Sequence, residues 1–289
     1  MAAEKTLAHR WLPGIAAAGL LSVAVAVSAP PAAARHLPAV SASHPPGYTI
    51  VHAGPFNAPP SAFDSGASAT CPAGTVVWGG GVAFQGGANA NLTVNTSQPS
   101  GSAGWEARVN NAGTATAQFA VNAICANKPA GYKLVFRTVD NPPNTQSHAT
   151  ATCPAPKALL GGGTLSSADQ VTGILTSAWP LGPARFTGYM FNGTASDQTF
   201  TVLAICGHKP AGYKIASNNV ALEPGFTLAD GIPCPAGTSA LSGGAQDPDH
   251  VPLVQIAGSI SQGPTAWAIQ VNNDDQSAHQ VNGYVICAA

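Results

Sequence analysis

Cys71-Pro72-Ala73-Gly74, Cys153-Pro154-Ala155-Pro156 and Cys234-Pro235-Ala236-Gly237 open one pattern three times, 82 and then 81 residues apart. Eight residues after each Cys comes a cluster of small residues: Gly79-Gly80-Gly81, Gly161-Gly162-Gly163 and Ser242-Gly243-Gly244. A large aromatic, Trp105, Phe186 or Trp267, stands 20 residues before a second Cys, which closes Ala123-Ile124-Cys125, Ala204-Ile205-Cys206 or Val285-Ile286-Cys287. The units are joined by Lys128-Pro129-Ala130-Gly131-Tyr132-Lys133 and Lys209-Pro210-Ala211-Gly212-Tyr213-Lys214, and Pro46-Gly47-Tyr48 precedes the first. A fixed period of this length marks a repeat architecture. It divides the chain into modules 46–126, 127–207 and 208–289.

Within a module the side-chain period is two. Trp105, Ala107 and Val109 alternate with Glu106 and Arg108, and Trp267, Ile269 and Val271 with Ala268 and Gln270. Such alternation reads as half-buried strands. Asn110-Asn111-Ala112-Gly113 and Asn272-Asn273-Asp274-Asp275 follow, residues that tolerate φ > 0, so each pair of runs is expected to be a hairpin. Counting the remaining apolar runs gives about six short strands per module. The expected fold is all-β, three tandem small antiparallel β-sandwiches. One closed pseudo-threefold assembly, with the first Gly-Tyr strand pairing with the last Ile-Cys strand, is the alternative.

Composition agrees. Of 289 residues 23 are charged, 8%, against roughly 25% for soluble domains. Gly and Pro number 32 and 25, which argues against long helices because each is costly inside one. With a formal charge of −1 there is no basic field to attract phosphate, so nucleic acid is not an expected partner. Residues 1–34 run from a charged start (Lys5, His9, Arg10) through apolar Ile15–Val27 to Ala32-Ala33-Ala34, the pattern of a signal peptide cleaved after Ala34. Its apolar run is shorter than the roughly 20 residues a spanning helix needs. The expected product is secreted and extracellular, free of the membrane after cleavage, with 35–45 as a linker.

Six cysteines in a secreted chain allow fifteen pairings. If each module is a copy, each carries the same bridge: Cys71–Cys125, Cys153–Cys206 and Cys234–Cys287. Cys-x₂-Cys and Cys-x₂-His spacings for a metal are missing, and pairing removes every thiol nucleophile. The glycine clusters fit neither a dinucleotide nor a P-loop pattern. They are expected to permit a bulge or the close approach of a neighbouring sheet or ring.

No serine-hydrolase elbow or zincin signature is present; the acids, few and mostly beside Gly, Pro or Asn, read as turn residues rather than the flanking carboxyl pair a glycosidase needs, and no His recurs in all three modules. No catalytic residue and no cofactor is assigned. Trp105, Trp267, Tyr132, Tyr213 and Trp78 are expected in cores. Trp179, in Ser177-Ala178-Trp179-Pro180, lacks an aromatic counterpart in the sister modules and is the best candidate for an exposed binding ring. In the third module Asp247, Asp249 and His250 crowd one loop, with Asp274 and Asp275 in another turn. A hard cation such as Ca²⁺ could offset that repulsion, although it takes six to eight oxygens.

The combination of Gly-Tyr, Ala-Thr-Cys-Pro-Ala-Gly, the Gly cluster, Trp-x-x-x-Val-Asn and Ile-Cys-Ala resembles the repeat unit of uncharacterised secreted bacterial β-repeat proteins. The resemblance spans Tyr48 to Ala289 and supports the module boundaries; it implies no catalytic residue. The functional expectation is an extracellular binding or structural protein for a cell-surface glycan or extracellular protein. A secreted hydrolase of polysaccharide or ester, and an inhibitor or toxin, are the competing classes.

Overall fold

Among the described residues the chain forms eighteen strands and no helix. The computed structural model describes residues 43–289 apart from 88, 168–172 and 226; the expected signal peptide and most of the linker lie outside them. The first module forms β1 (Thr49–Ala58), β2 (Ala62–Thr70), β3 (Thr75–Gln85), β4 (Leu92–Pro99), β5 (Gly104–Asn111) and β6 (Ala117–Asn127). The second forms β7 (Lys133–Asn141), β8 (Thr145–Thr152), β9 (Ala158–Ser166), β10 (Gly173–Pro180), β11 (Arg185–Asn192) and β12 (Gln198–Gly207). The third forms β13 (Lys214–Leu222), β14 (Thr227–Pro233), β15 (Ser239–Gln246), β16 (Val254–Ser261), β17 (Ala266–Asn273) and β18 (His279–Ala288).

Each module is a small antiparallel sandwich. Its first, sixth and third strands make one layer, its second, fifth and fourth the other, and the two layers pack on each other. One disulfide joins the layers in each, Cys71–Cys125, Cys153–Cys206 and Cys234–Cys287, as the repeats predict.

The modules also share sheets. The first six-stranded sheet runs β1-β6-β3-β16-β17-β14, the second β7-β12-β9-β4-β5-β2, and the third β13-β18-β15-β10-β11-β8. The third strand of each module therefore pairs with the fourth strand of another, through Ser259 opposite Val82, Ser97 opposite Thr164 and Ala178 opposite Ala245. Modules one, two and three close into a cycle, and each disulfide ties two different sheets. The closure does not use β1 with β18; β1 pairs with its own module's β6. Edges that an isolated sandwich would leave open are covered at three seams.

The Gly clusters make this possible. In β3, β9 and β15 the residue before the cluster, Trp78, Leu160 or Leu241, is bulged out of the ladder and buried. At the first cluster position the three strands converge: a Cβ on Gly161 would sit 3.0 Å from Ser242 Cβ and 3.2 Å from Gly79 Cα. At the second, Gly80, Gly162 and Gly243 lie under the rings of Trp105, Phe186 and Trp267. At the third, Gly81, Gly163 and Gly244 face the carbonyls of Ser259, Ser97 and Ala178 across the seams, so closely that a Cβ would overlap them.

Trp105 and Trp267 are fully buried and donate Nε1–H to Ser97 Oγ (2.9 Å) and Ser259 Oγ (2.8 Å). In the second module Phe186, whose ring has no donor, takes the place of the two Trp, and Ala178, whose side chain has no acceptor, takes the place of Ser97 and Ser259. The hairpin asparagines act differently from the turn reading. None takes a positive φ; instead Asn111, Asn192 and Asn273 donate Nδ2–H to the carbonyls of Ala58, Asn141 and Leu222 (2.9, 2.7 and 3.1 Å), where each module's first strand ends.

A candidate binding site on the third sheet

On the third sheet β10, β11 and β8 are adjacent, so Trp179, Tyr189 and His148 point from one face. Tyr189 lies opposite His148 in the β11–β8 pair. Their rings stack at 5.2 Å and 19°, and Trp179 lies parallel to Tyr189 at 5.8 Å and 13°. The fourth ring comes from the third module. His250, in the loop between β15 and β16, stacks on Tyr189 at 4.0 Å and 11° and faces Trp179 at 6.4 Å. Trp179 and the Asp247–His250 loop, picked from different modules by sequence, thus meet at one seam.

Register explains why this face carries a row of stacked rings. Tyr189 occupies the place of Arg108 and Gln270; Arg108 pairs with Asp64 at 2.9 Å, and Gln270 bridges the seam to the Phe84 backbone. Trp179 occupies the place of Gln98 and Ile260. The expectation of an exposed Trp179 ring is corrected: it is 4% exposed, because Tyr189 and His250 cover it. His148 is the exposed end of the row and Tyr189 and His250 are partly exposed.

The loop is held from two sides. Asp247 is 1% exposed, takes N–H bonds from Asp249 (3.1 Å) and Val251 (2.6 Å), and gives its own N–H to Ser177 Oγ of the second module (3.0 Å). This turn puts His250 at φ +55°, a conformation uncommon for a residue with a Cβ. On the far side His279 at the start of β18 points Nε2 at Asp275 Oδ2 (2.7 Å) and Nδ1 at Asp249 Oδ2 (3.4 Å).

The cation reading is corrected in its third member. Asp247 and Asp249 converge with His279, not His250, their donor atoms lying within 4.8 Å of one another. His250 turns to the rings. Two carboxylates and an imidazole are a donor set for a transition metal rather than Ca²⁺. An imidazole with both nitrogens facing carboxylates is, however, suited to carry the positive charge itself. Burial alone would lower the His279 pKa, but hydrogen bonds to Asp275 and Asp249 and the charge of Asp247 outweigh it and hold the pKa above the ordinary value. Asp275 is correspondingly lowered, first by its bond to His279. Asp247 is raised, chiefly by burial. Asp274 stays outside this group and accepts from Gln255 Nε2 at 3.2 Å.

Tyr189, His148 and His279 escaped the sequence reading. The available signals were weak: an aromatic where sister modules hold Arg108 and Gln270, and a His four residues after Asp275. His44 and His208 are exposed. Compared with family models and with curated proteins, the chain finds no match.

Proposed function

We propose that this is an extracellular, non-enzymatic binding protein whose recognition face is the ring row on the third sheet. The observation that carries the reading is the stack of His148, Tyr189, His250 and Trp179, assembled from two modules on one of three otherwise equivalent sheets. Planar rings offer apolar faces at low conformational cost, which suits a sugar ring or the flat side chains of a protein surface. Three disulfides and a weakly charged chain fit an extracellular setting.

The Ser–His contact in the fold does not favour hydrolysis. Ser239 is fully buried and donates its hydroxyl to the Ser43 carbonyl (3.1 Å), while His44 Nδ1 lies 2.5 Å from Ser239 Oγ. A hydroxyl so placed is out of reach of a substrate. The test is binding of the secreted protein to cell-wall polysaccharides, glycans and extracellular proteins, beside Tyr189→Ala/His148→Ala. Affinity should fall at least about tenfold, as for loss of roughly 1.4 kcal/mol. Undiminished binding by the folded variant, or turnover of a ligand, overturns the reading.

A further inference from the structure

The Gly-Tyr segments do more than join modules. Each runs Pro, a variable residue, Gly and Tyr, and in two of them the turn is closed by the Tyr N–H on the Pro carbonyl, at 3.0 Å for Tyr48 and 3.2 Å for Tyr132. Gly47, Gly131 and Gly212 take φ of +74°, +68° and +65°, as the third position of a type II turn requires. The Tyr then enters a socket on a different module. Tyr132 Oη donates to Val77 O of the first module (2.9 Å), Tyr213 to Leu159 O of the second (2.8 Å), and Tyr48 to Ala240 O of the third (2.8 Å). Burial raises the pKa of all three phenols. A cationic or imidazole side chain covers the ring in two of them: Lys209 Nζ lies 5.4 Å from the Tyr213 centroid, and His44 stacks on Tyr48 at 5.0 Å and 8°.

The three sockets match in geometry and differ in connectivity. Lys128–Tyr132 and Lys209–Tyr213 continue directly from the module that holds them. The segment in the third socket is separated from Ala240 by 192 residues and continues into the first module. Nothing covalent ties it to the third module, where it is held by the Tyr48 hydroxyl, the His44 contact and the Ser239–Ser43 bond. It occupies the socket as a ligand would.

We propose that the third-module socket at Ser239 and Ala240 is a peptide-binding site for a Pro-x-Gly-Tyr segment, filled in cis by residues 43–48 and open to the same segment from a second copy of the chain. Its recognition elements are a type II turn, a Tyr hydroxyl reaching a backbone carbonyl, and a ring-stacking residue four positions before the Tyr. This inference is independent of the ring row on the third sheet.

The test uses the full chain carrying His44→Ala/Tyr48→Ala and a fluorescent peptide, Ser-His-Pro-Pro-Gly-Tyr-Thr, read by anisotropy. Saturable binding to the variant is expected. Wild type should bind at least about tenfold more weakly, because its own segment competes at an effective concentration in the millimolar range. A peptide with Phe in place of Tyr should lose about fivefold, the equivalent of one hydrogen bond. No saturation of the folded variant at millimolar peptide, or equal binding to variant and wild type, overturns the proposal. If the double variant does not fold, Tyr48→Phe removes only the hydroxyl; it should bind the peptide more tightly than wild type, and equal affinities overturn the proposal.

Discussion

Replacing the second module's bridge, Cys153→Ser/Cys206→Ser, separates an assembly of shared sheets from three beads on a string. The bridge closes a separation of 53 residues, so the chain-entropy relation puts its loss at about 4 kcal/mol. If the second module melted alone, as a unit of 60–100 residues, that loss would lower its Tm by roughly 16–32 °C. The topology predicts otherwise. The strands β7, β12 and β9 complete a sheet with β4, β5 and β2, while β10, β11 and β8 complete another with β15, β18 and β13. Melting the second module would strip the pairing edges of β4 and β15 and expose the rings stacked at the third sheet. The body should therefore melt as one, with the same loss spread over a larger unit and a drop of roughly 8–16 °C. Calorimetry gives the shift, and hydrogen exchange read by peptide gives the location. Protection should disappear together from 75–85, 158–166 and 239–246. Retained protection in the first and third modules after the second has exchanged would refute the coupling.

Three further outcomes follow from the packing. Gly244→Ala, where a Cβ would overlap the Ala178 carbonyl across the seam, should cost several kcal/mol, whereas Gly182→Ala, at φ +86° with open space around it, should cost only about 1 kcal/mol; similar urea midpoints for the two would contradict the seam. Trp267→Phe should leave Ser259 Oγ without its donor, and adding Ser259→Ala, which copies the Phe186–Ala178 pair, should recover about 1 kcal/mol; a double variant no more stable than the single would show that this hydrogen bond contributes nothing. Because the His279 pKa is raised in the fold, its contribution is complete below the ordinary imidazole value of about 6.5 and is lost as pH rises through the raised value. Asp275, being lowered, contributes above the ordinary carboxylate range and loses that contribution on acidification, while the raised Asp247 works in the opposite sense. The Tm advantage of wild type over His279→Gln should thus be greatest at mildly acidic pH and shrink towards alkaline pH, and a pH-independent difference would remove the charged-clamp reading.

Much of the architecture was legible because it rests on local chemistry repeated three times. The alternation around Trp105 and Trp267 announces strands whatever they pair with, and the Cys spacing selects one pairing in fifteen once the repeat is seen. The Gly clusters foretold close approach by a ring or a sheet, and the fold shows both, at Gly80 under Trp105 and at Gly81 under the Ser259 carbonyl. At the candidate site Trp179, Asp247 and Asp249 were visible as departures from their sister modules.

What covers Trp179, and which His joins the acids, could not be read from spacing. His279 takes the place expected for His250 beside the acids, because a turn capped by Asp247 sends the His250 imidazole to the rings of another module, while the β17–β18 hairpin brings His279 to Asp249. Sequence by itself determined the strands, the modules and the bridges, since periodicity and repetition act within one module's length. Only the tertiary structure decided that β3, β9 and β15 pair with strands of other modules and that residues 43–48 dock on Ser239 and Ala240. Edge pairing is made by backbone N–H and C=O groups that every residue carries, so the side-chain pattern marks an edge without naming its partner.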